Sequence, residues 1–345
     1  MKTIAELLRR FPNNQTILDS VIKTEDHIRS GVKIMVSISG GSDSDIVLDL
    51  FELIGYEPGQ VVYVWFDTGL EYEATKRHLV FLEEKYGIQI QRHKAKMPIP
   101  LSVKKYGVPF ISKLDSMYFQ RLQSHGFQWE DRPFEELLKQ YPNAKAALQW
   151  WCDMWSKPKG SFSIARLSGM KEFVMRNHPP KISDKCCTYA KKNVAYELES
   201  AIQAELSVIG VRQAEGGARA TCYKSCYTPA GDRIAQFRPI FYWTDEDKRE
   251  YEKFCGIVHS DCYTVYGFKR TGCACCPFGS NFEHELEVAK QYEPKLYRAA
   301  NAIFGESYEY TRKYRKFKES FKREKRRHGQ IDLFDRWDEE GLHGT

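Results

Sequence analysis

The feature that most constrains this chain is a buried strand that runs into a glycine pair and then into a helix. Val32 to Ser39 reads Val-Lys-Ile-Met-Val-Ser-Ile-Ser, rich in the β-branched residues that suit a strand packed on both faces. Ser39-Gly40-Gly41-Ser42-Asp43-Ser44 follows. Asp43 to Ile54 then continues at helical period, with Val47, Leu48, Leu50, Phe51 and Ile54 on its apolar side. Val61 to Phe66 reads as a second strand, Tyr72 to Tyr86 as a charged helix and Gln89 to Ala95 as a third strand. Lys191 to Glu205 is helical in pattern and leads into a further strand, Leu206 to Val211. Such alternation predicts an α/β fold with a doubly wound parallel sheet and right-handed crossovers. A chain of 345 residues has room for two domains, or for one large α/β unit with a satellite.

The rest of the chain breaks this rhythm. Residues 97 to 180 hold eight prolines and a Trp cluster, Trp150, Trp151 and Trp155, which reads as a helical insertion over the sheet edge. The plain alternative for each Trp is a core aromatic. After Pro239 the chain turns helical. Pro294 suits the first turn of a helix, and Gly305 is placed to end it. A second helix from Tyr310 carries Tyr310, Tyr314, Phe317 and Phe321 on one stripe. Its other face is basic, with ten Lys or Arg against two Glu between Arg312 and Arg327. The expected division is an α/β domain at 1–240, with the insertion at about 97–180, and a helical region at 241–345. No apolar run approaches membrane length. A Glu and two Arg stand where a signal peptide carries its apolar core, so a cytoplasmic protein is expected. The net charge of +6 is mild, which makes its placement on the tail helix more informative than its sum.

The loop at 39–44 has the chemistry of an anion cradle. Gly40 and Gly41 allow positive φ and close backbone approach. The helix start offers unpaired N–H groups and the positive end of its dipole. Ser39 and Ser44 add hydroxyls, and Asp43 is placed to cap the helix or meet a cation. A tight strand–helix turn without a ligand is the plain alternative.

Ser-Gly-Gly-x-Asp-Ser in this position resembles the pyrophosphate (PP) loop of the ATP pyrophosphatase superfamily. Four further segments resemble the phosphoadenosine phosphosulfate (PAPS) reductase family within it. They are Asp67-Thr68-Gly69 after the second strand, Gly210-Val211-Arg212 with Glu215 and Arg219, Arg238-Pro239-Ile240, and Trp243-Thr244. The resemblance runs from about Val32 to Gly279 and is poor through the insertion. It implies a fold of the adenine-nucleotide alpha-hydrolase type with a helical C-terminal part. It places an adenine nucleotide, ATP or PAPS/APS, at the C-terminal ends of the strands. By carry-over Ser39, Gly40, Gly41, Ser42, Asp43 and Ser44 hold phosphate, with Mg2+ as an accompanying cation. Asp67, Thr68 and Gly210 lie beside the nucleotide, and Arg212 and Arg219 meet its anionic groups. Asp43 and Arg212 are the candidate catalytic residues. For each Arg a surface ion pair is the plain alternative.

Ten cysteines in a chain read as cytosolic favour metal or redox chemistry over disulfides. Cys186-Cys187-Thr188-Tyr189-Ala190-Lys191 resembles the Cys-Cys-x-x-x-Lys of the iron–sulfur branch of the family, and Gly272-Cys273-Ala274-Cys275-Cys276 its Gly-Cys-x-x-Cys. Cys186, Cys187, Cys273 and Cys276 would then supply the four thiolates of a [4Fe–4S] cluster, with Cys275 as the rival of Cys276. Zinc also accepts four thiolates. Cys222 and Cys226 are unassigned thiols, and Cys152, Cys255 and Cys262 are read as buried or incidental.

Two departures from the family bear on the reaction. Sulfite-releasing members resemble one another in a C-terminal Glu-Cys-Gly-[Leu/Ile]-His segment, whereas this chain reads Glu339-Glu340-Gly341-Leu342-His343. The loop is also intact, like that of superfamily members that cleave ATP to AMP and pyrophosphate. The expected function is therefore sulfur chemistry, favoured as ATP-dependent sulfur transfer to a nucleic-acid acceptor, as in DNA phosphorothioation or tRNA thiolation. A sulfur or electron donor protein would be a partner, and no membrane is involved. The basic tail suits such an acceptor, although a helix docking its aromatic stripe on the core is an equal reading. Assimilatory PAPS/APS reduction is the second reading. A non-catalytic nucleotide- or nucleic-acid-binding module with a structural cluster is the third.

Overall fold

A computed structural model of the chain describes residues 2–154, 163–216 and 222–327, with the side chains of 324–327 left aside. The chain divides into two compact units. The first comprises Met1–Ile99, Cys187–Ala274 and Glu283–Tyr297. The second comprises Pro100–Cys186, Cys275–Phe282 and the chain from Arg298 onward.

The first unit is built on a six-stranded sheet: β1 (Ile34–Ser37), β2 (Val61–Asp67), β3 (Ile90–Lys94), β4 (Leu206–Ile209), β5 (Tyr227–Thr228) and β6 (Ala235–Phe237). The strand order is β3-β2-β1-β4-β6-β5. All neighbours pair in parallel except β5 and β6, which are antiparallel. β1 pairs Ile34 with Val61 on one side and with Leu206 on the other. Alternate residues of β1 point to opposite faces. Ile34 and Val36 enter a core with Ile46, Leu50, Phe51 and Trp243. Met35 packs on the other face with Val64, Leu198 and Ala204. Both faces of the central strand are thus covered, which is the doubly wound α/β arrangement expected. Chain order reverses beside β1, because β2 follows on one side and β4 on the other. Ligands of open α/β sheets sit at the C-terminal ends of the strands at such a point.

Several boundaries differ from the sequence expectation. β5 and β6 are two and three residues long, too short to show a period. The helix expected over 191–205 is a short turn, Lys185–Cys187, a π-turn, Thr188–Lys192, and a helix, Asn193–Ala201. Thr244 caps the helix Asp245–Cys255 in a reciprocal box with Asp247.

The second unit has its own core of Phe110, Phe119, Trp150, Trp151, Phe173, Tyr310 and Tyr314, among others. Trp150 and Trp151 are fully buried, and Trp151 Nε1 donates to the Glu130 carbonyl at 2.9 Å. Both are core aromatics; Trp155 lies outside the described residues. The helix expected to end at Gly305 instead runs unbroken over Pro294–Arg327. A helical Gly costs about 1 kcal/mol, less than is gained by burying Phe304, Tyr308, Tyr310 and Tyr314 at about 1.5–3 kcal/mol each. The Tyr310/Tyr314/Phe317 stripe docks on this core, while Arg312, Lys313 and Lys316 are exposed. Among the described residues no helix is long and apolar enough to cross a membrane.

Candidate functional site

The loop after β1 is shaped by its two glycines in different ways. Gly40 takes a left-handed φ of 69°, and a Cβ there would stand 2.8 Å from Thr75 Cγ2. Gly41 does not share that conformation. It is extended, φ −97° and ψ 154°, and it is the N-cap of the helix Ser42–Ile54. Its lack of a side chain leaves room for the Thr271 and Tyr263 hydroxyls, which a Cβ would meet at 3.0 and 3.3 Å. The Ser42 N–H donates to Tyr263 Oη at 3.0 Å. The two flanking serines brace the loop. Ser39 Oγ donates to Ser44 Oγ at 3.1 Å, and Ser44 Oγ to the Gly41 carbonyl at 2.7 Å. The Gly41 N–H donates to Ser39 Oγ at 3.3 Å. An incoming phosphate would therefore exchange with hydroxyl partners that the loop already holds.

β4 closes against this loop. A Cβ on Gly210 would lie 2.8 Å from the carbonyl carbon and oxygen of Asp43 and 2.9 Å from the Ser44 nitrogen. Only glycine lets the strand end pass so near the first helical turn. Two residues on, Arg212 is 6% exposed. Its Nε donates to Asp43 Oδ1 at 3.1 Å and its Nη1 to Asp245 Oδ1 at 2.8 Å. Lys248 donates to the same Asp43 oxygen at 2.7 Å and also to Ser42 Oγ. Asp43 does not cap the helix. It fastens two cations from distant parts of the chain to the first turn beside the loop.

Two residues further on, Asp45 is fully buried. Its Oδ2 accepts from His78 Nε2 and His259 Nδ1, each at 2.9 Å, and its Oδ1 finds no hydrogen-bond partner among the described residues. Burial would raise the Asp45 carboxyl, but the bonds from His259 and His78 hold it below the usual range. The other ring nitrogen of His259 lies 2.9 Å from Glu252 Oε1. Burial would lower the His259 pKa; its bonds to Asp45 and Glu252 outweigh that and raise it to about 9. Sequence reading missed Lys248, His259, His78 and Tyr263. The available signal was the helix itself, whose apolar run buries Asp43, Asp45 and Asp49, and buried carboxylates demand partners.

Asp67 ends β2 and Thr68 follows it. Asp67 Oδ1 accepts the Gly69 N–H at 2.9 Å. Thr68 is buried, donates to Glu71 Oε1 at 2.6 Å and lies 3.8 Å from Cys273 Sγ. Cys273, Glu71 and Cys187 all act on Lys191, and Cys273 does most to keep its ammonium charged. Burial pushes the Cys273 thiol up, with Lys191 pulling it down. Cys187 and Cys273 both belong to the first unit, with Lys191. Cys186 and Cys276 belong to the second unit, as does Cys275, which is buried with a left-handed φ of 52°. Among the described residues, no group of three or more His, Cys, Asp or Glu is arranged to hold a metal ion, and no disulfide forms. Burial pushes Cys255 up to about 12 and Cys262 up to about 11, as inert thiols require. Arg219 and the segment 339–345 lie outside the described residues.

Residues 33–147 match the model of the phosphoadenosine phosphosulfate reductase domain. That span takes in the loop, β2 and β3 and stops short of Arg212, Lys248 and all the cysteines. An uncharacterized protein of Methanocaldococcus jannaschii is 24% identical over 265 residues, covering 76% of this chain. The match spans 40% of that relative's own length. Among solved structures, the phosphoadenylyl-sulfate (PAPS) reductase of Candida auris, a phosphate complex, aligns at 13% identity with a TM-score of 0.38 over 70% of this chain and 81% of that one. The U34-tRNA thiolase NcsA of Methanococcus maripaludis, solved with its [4Fe–4S] cluster, aligns at 12% identity with a TM-score of 0.35, covering 87% and 79%.

Proposed function

We propose that this chain, which carries a phosphoadenosine phosphosulfate reductase domain over residues 33–147, is an enzyme of sulfur chemistry that binds ATP on the loop Ser39–Ser44. It releases pyrophosphate and passes sulfur to a nucleic acid. The observation that carries this reading is the convergence on Asp43: Arg212 and Lys248 are both fastened beside a helix start with a left-handed Gly40 in front of it. Cations beside backbone N–H groups suit a chain of phosphates, whose charge grows on the leaving pyrophosphate as the bond to the α-phosphorus breaks. An acceptor oxygen would attack that phosphorus and form the adenylylated intermediate. A sulfur nucleophile from a donor protein would then displace AMP. Both cations take Asp43 Oδ1, so its first role is to position Arg212 and Lys248, and Oδ2 is the atom with which it would meet Mg2+.

Cys186, Cys187, Cys273 and Cys276 would hold a [4Fe–4S] cluster, a proposal from residue type and spacing. It is supported by the buried Lys191 ammonium, which Cys273 chiefly, and Cys187 more weakly, help keep charged. When bound, the cluster would supply redox or sulfur-carrying chemistry. Asp67, Thr68 and Gly210 are assigned to the nucleotide's surroundings, Thr68 and Gly210 through the packing they permit. The exposed basic residues of the helix Pro294–Arg327 are the candidate surface for the nucleic acid.

The domain match itself favours a second reading, reduction of PAPS or APS to sulfite. One pair of assays separates the two. Anaerobically purified protein is incubated with ATP and, separately, with radiolabelled PAPS plus thioredoxin. Pyrophosphate from ATP, stimulated by nucleic acid and suppressed by salt, is expected. Sulfite from PAPS with no pyrophosphate from ATP would establish the reductase. Neither product, with nucleotide bound, would leave a binding module.

A further inference from the structure

Lys248 belongs to no motif that the sequence offers, yet it stands at the centre of the loop's charge. We infer, on the basis of the phosphate-loop reading above, that Lys248 is a phosphate-contacting residue and that His259 positions it by holding Glu252. The geometry sets up a competition. Lys248 Nζ lies 2.7 Å from Asp43 Oδ1 and bonds Ser42 Oγ, on the turn that faces the loop. Its alternative partner is Glu252, one turn along its own helix and 3.8 Å away. The two carboxylates thus draw one ammonium in two directions, and only one direction leads to the loop.

His259 decides between them. Its Nε2 lies 2.9 Å from Glu252 Oε1, and its Nδ1 is anchored on the buried Asp45. With both nitrogens donating, the ring occupies Glu252 and leaves Lys248 to Asp43 and Ser42. At Asp43 the ammonium shares a single carboxylate oxygen with Arg212. A multiply charged oxyanion arriving at the loop is the stronger acceptor, and a lysine is a point charge on a flexible stem that can turn from one to the other. The ligand is therefore a phosphate chain, the pyrophosphate portion of a nucleoside triphosphate, and the adenine end gains nothing from this residue.

The test is calorimetric titration of the full chain with inorganic pyrophosphate, ATP and adenosine. Lys248→Met is expected to weaken pyrophosphate and ATP by about tenfold or more, the worth of one charged hydrogen bond, and to leave adenosine within about twofold. Lys248→Arg should recover most of the loss. His259→Asn should weaken pyrophosphate by about threefold by freeing Glu252 to draw Lys248 away. Adding Glu252→Gln to it should restore binding, because the competing charge is gone. Wild type that binds pyrophosphate alongside an equally competent Lys248→Met overturns the inference and leaves the loop reading standing. Wild type that binds neither pyrophosphate nor ATP overturns both. An equal loss of adenosine in Lys248→Met assigns the lysine a structural role instead. A double variant as weak as His259→Asn removes His259 from the proposal.

Discussion

Replacing Gly210 by Ala tests the contact on which the whole loop geometry rests. The added Cβ would stand 2.8 Å from the Asp43 carbonyl and 2.9 Å from the Ser44 nitrogen, where ordinary contact begins at 3.4 Å. The neighbours are backbone atoms of a helix's first turn, so neither can rotate away. Strand end and helix start must separate by about 0.6 Å. Overpacking of this kind costs about 1–3 kcal/mol. Removing a glycine from the unfolded chain returns about 0.4–1 kcal/mol, so the net loss is about 0–2.6 kcal/mol, centred at about 1.3 kcal/mol. For a unit of this size the central value lowers the melting temperature by roughly 3–5 °C. The separation also carries Asp43 away from Arg212 and should weaken pyrophosphate binding several-fold. Gly231→Ala is the control, since nothing lies within 4 Å of a Cβ there. Melting by circular dichroism and pyrophosphate titration give the two readouts. Gly210→Ala that melts with wild type and binds pyrophosphate as tightly would refute the close approach of β4 to the loop.

The folded His259 value of about 9 lies above its ordinary 6.5, so its stabilisation is complete below pH 6.5 and is lost as pH rises through about 9. The gap in melting temperature between wild type and His259→Asn should therefore narrow from pH 6 to pH 10, and a constant gap would refute the paired imidazolium. Gly305→Ala should stabilise the second unit by about 0.5–1 kcal/mol, because a Cβ there meets nothing within 4 Å; a lower melting temperature would argue for a break in the helix. Anaerobic protein should hold about four irons per chain and lose them in Cys273→Ala, whereas stoichiometric zinc without iron would reject the cluster.

The central strands were legible because burial on both faces leaves a continuous apolar run, as in Ile34 to Val36. β6 was not, because Ala235-Gln236-Phe237 is too short to carry a period and owes its place to pairing with β4. Gly305 misled for a related reason. A glycine ends a helix when the chain beyond it has no apolar face to bury, and here Tyr308, Tyr310 and Tyr314 continue one. Local propensity was overruled by packing that only the folded second unit reveals.

The loop was legible as a motif, but its supports were not. The helix Ser42–Ile54 buries three aspartates, and each finds partners from afar: Asp43 in Arg212 and Lys248, Asp45 in His78 and His259, Asp49 in Tyr86 and Tyr251. Those partners come from positions 78 to 259, so no local pattern could name them. Three apolar residues would pack the same helix at less desolvation cost. What the aspartates add is register. A slide of the helix by one residue would strand three buried carboxylates at once, at about 1–3 kcal/mol or more for each, whereas an apolar face would tolerate it. On the phosphate-loop reading, the N–H groups at the start of that helix would have to meet phosphate to within a fraction of an ångström, and misplacement by about 1 Å costs on the order of a hundredfold in rate. A helix that opens with a ligand-binding turn therefore has reason to be pinned by directional bonds along its length, and the burial of Asp49, remote from the loop, is the part of this pattern that phosphate binding alone would not require.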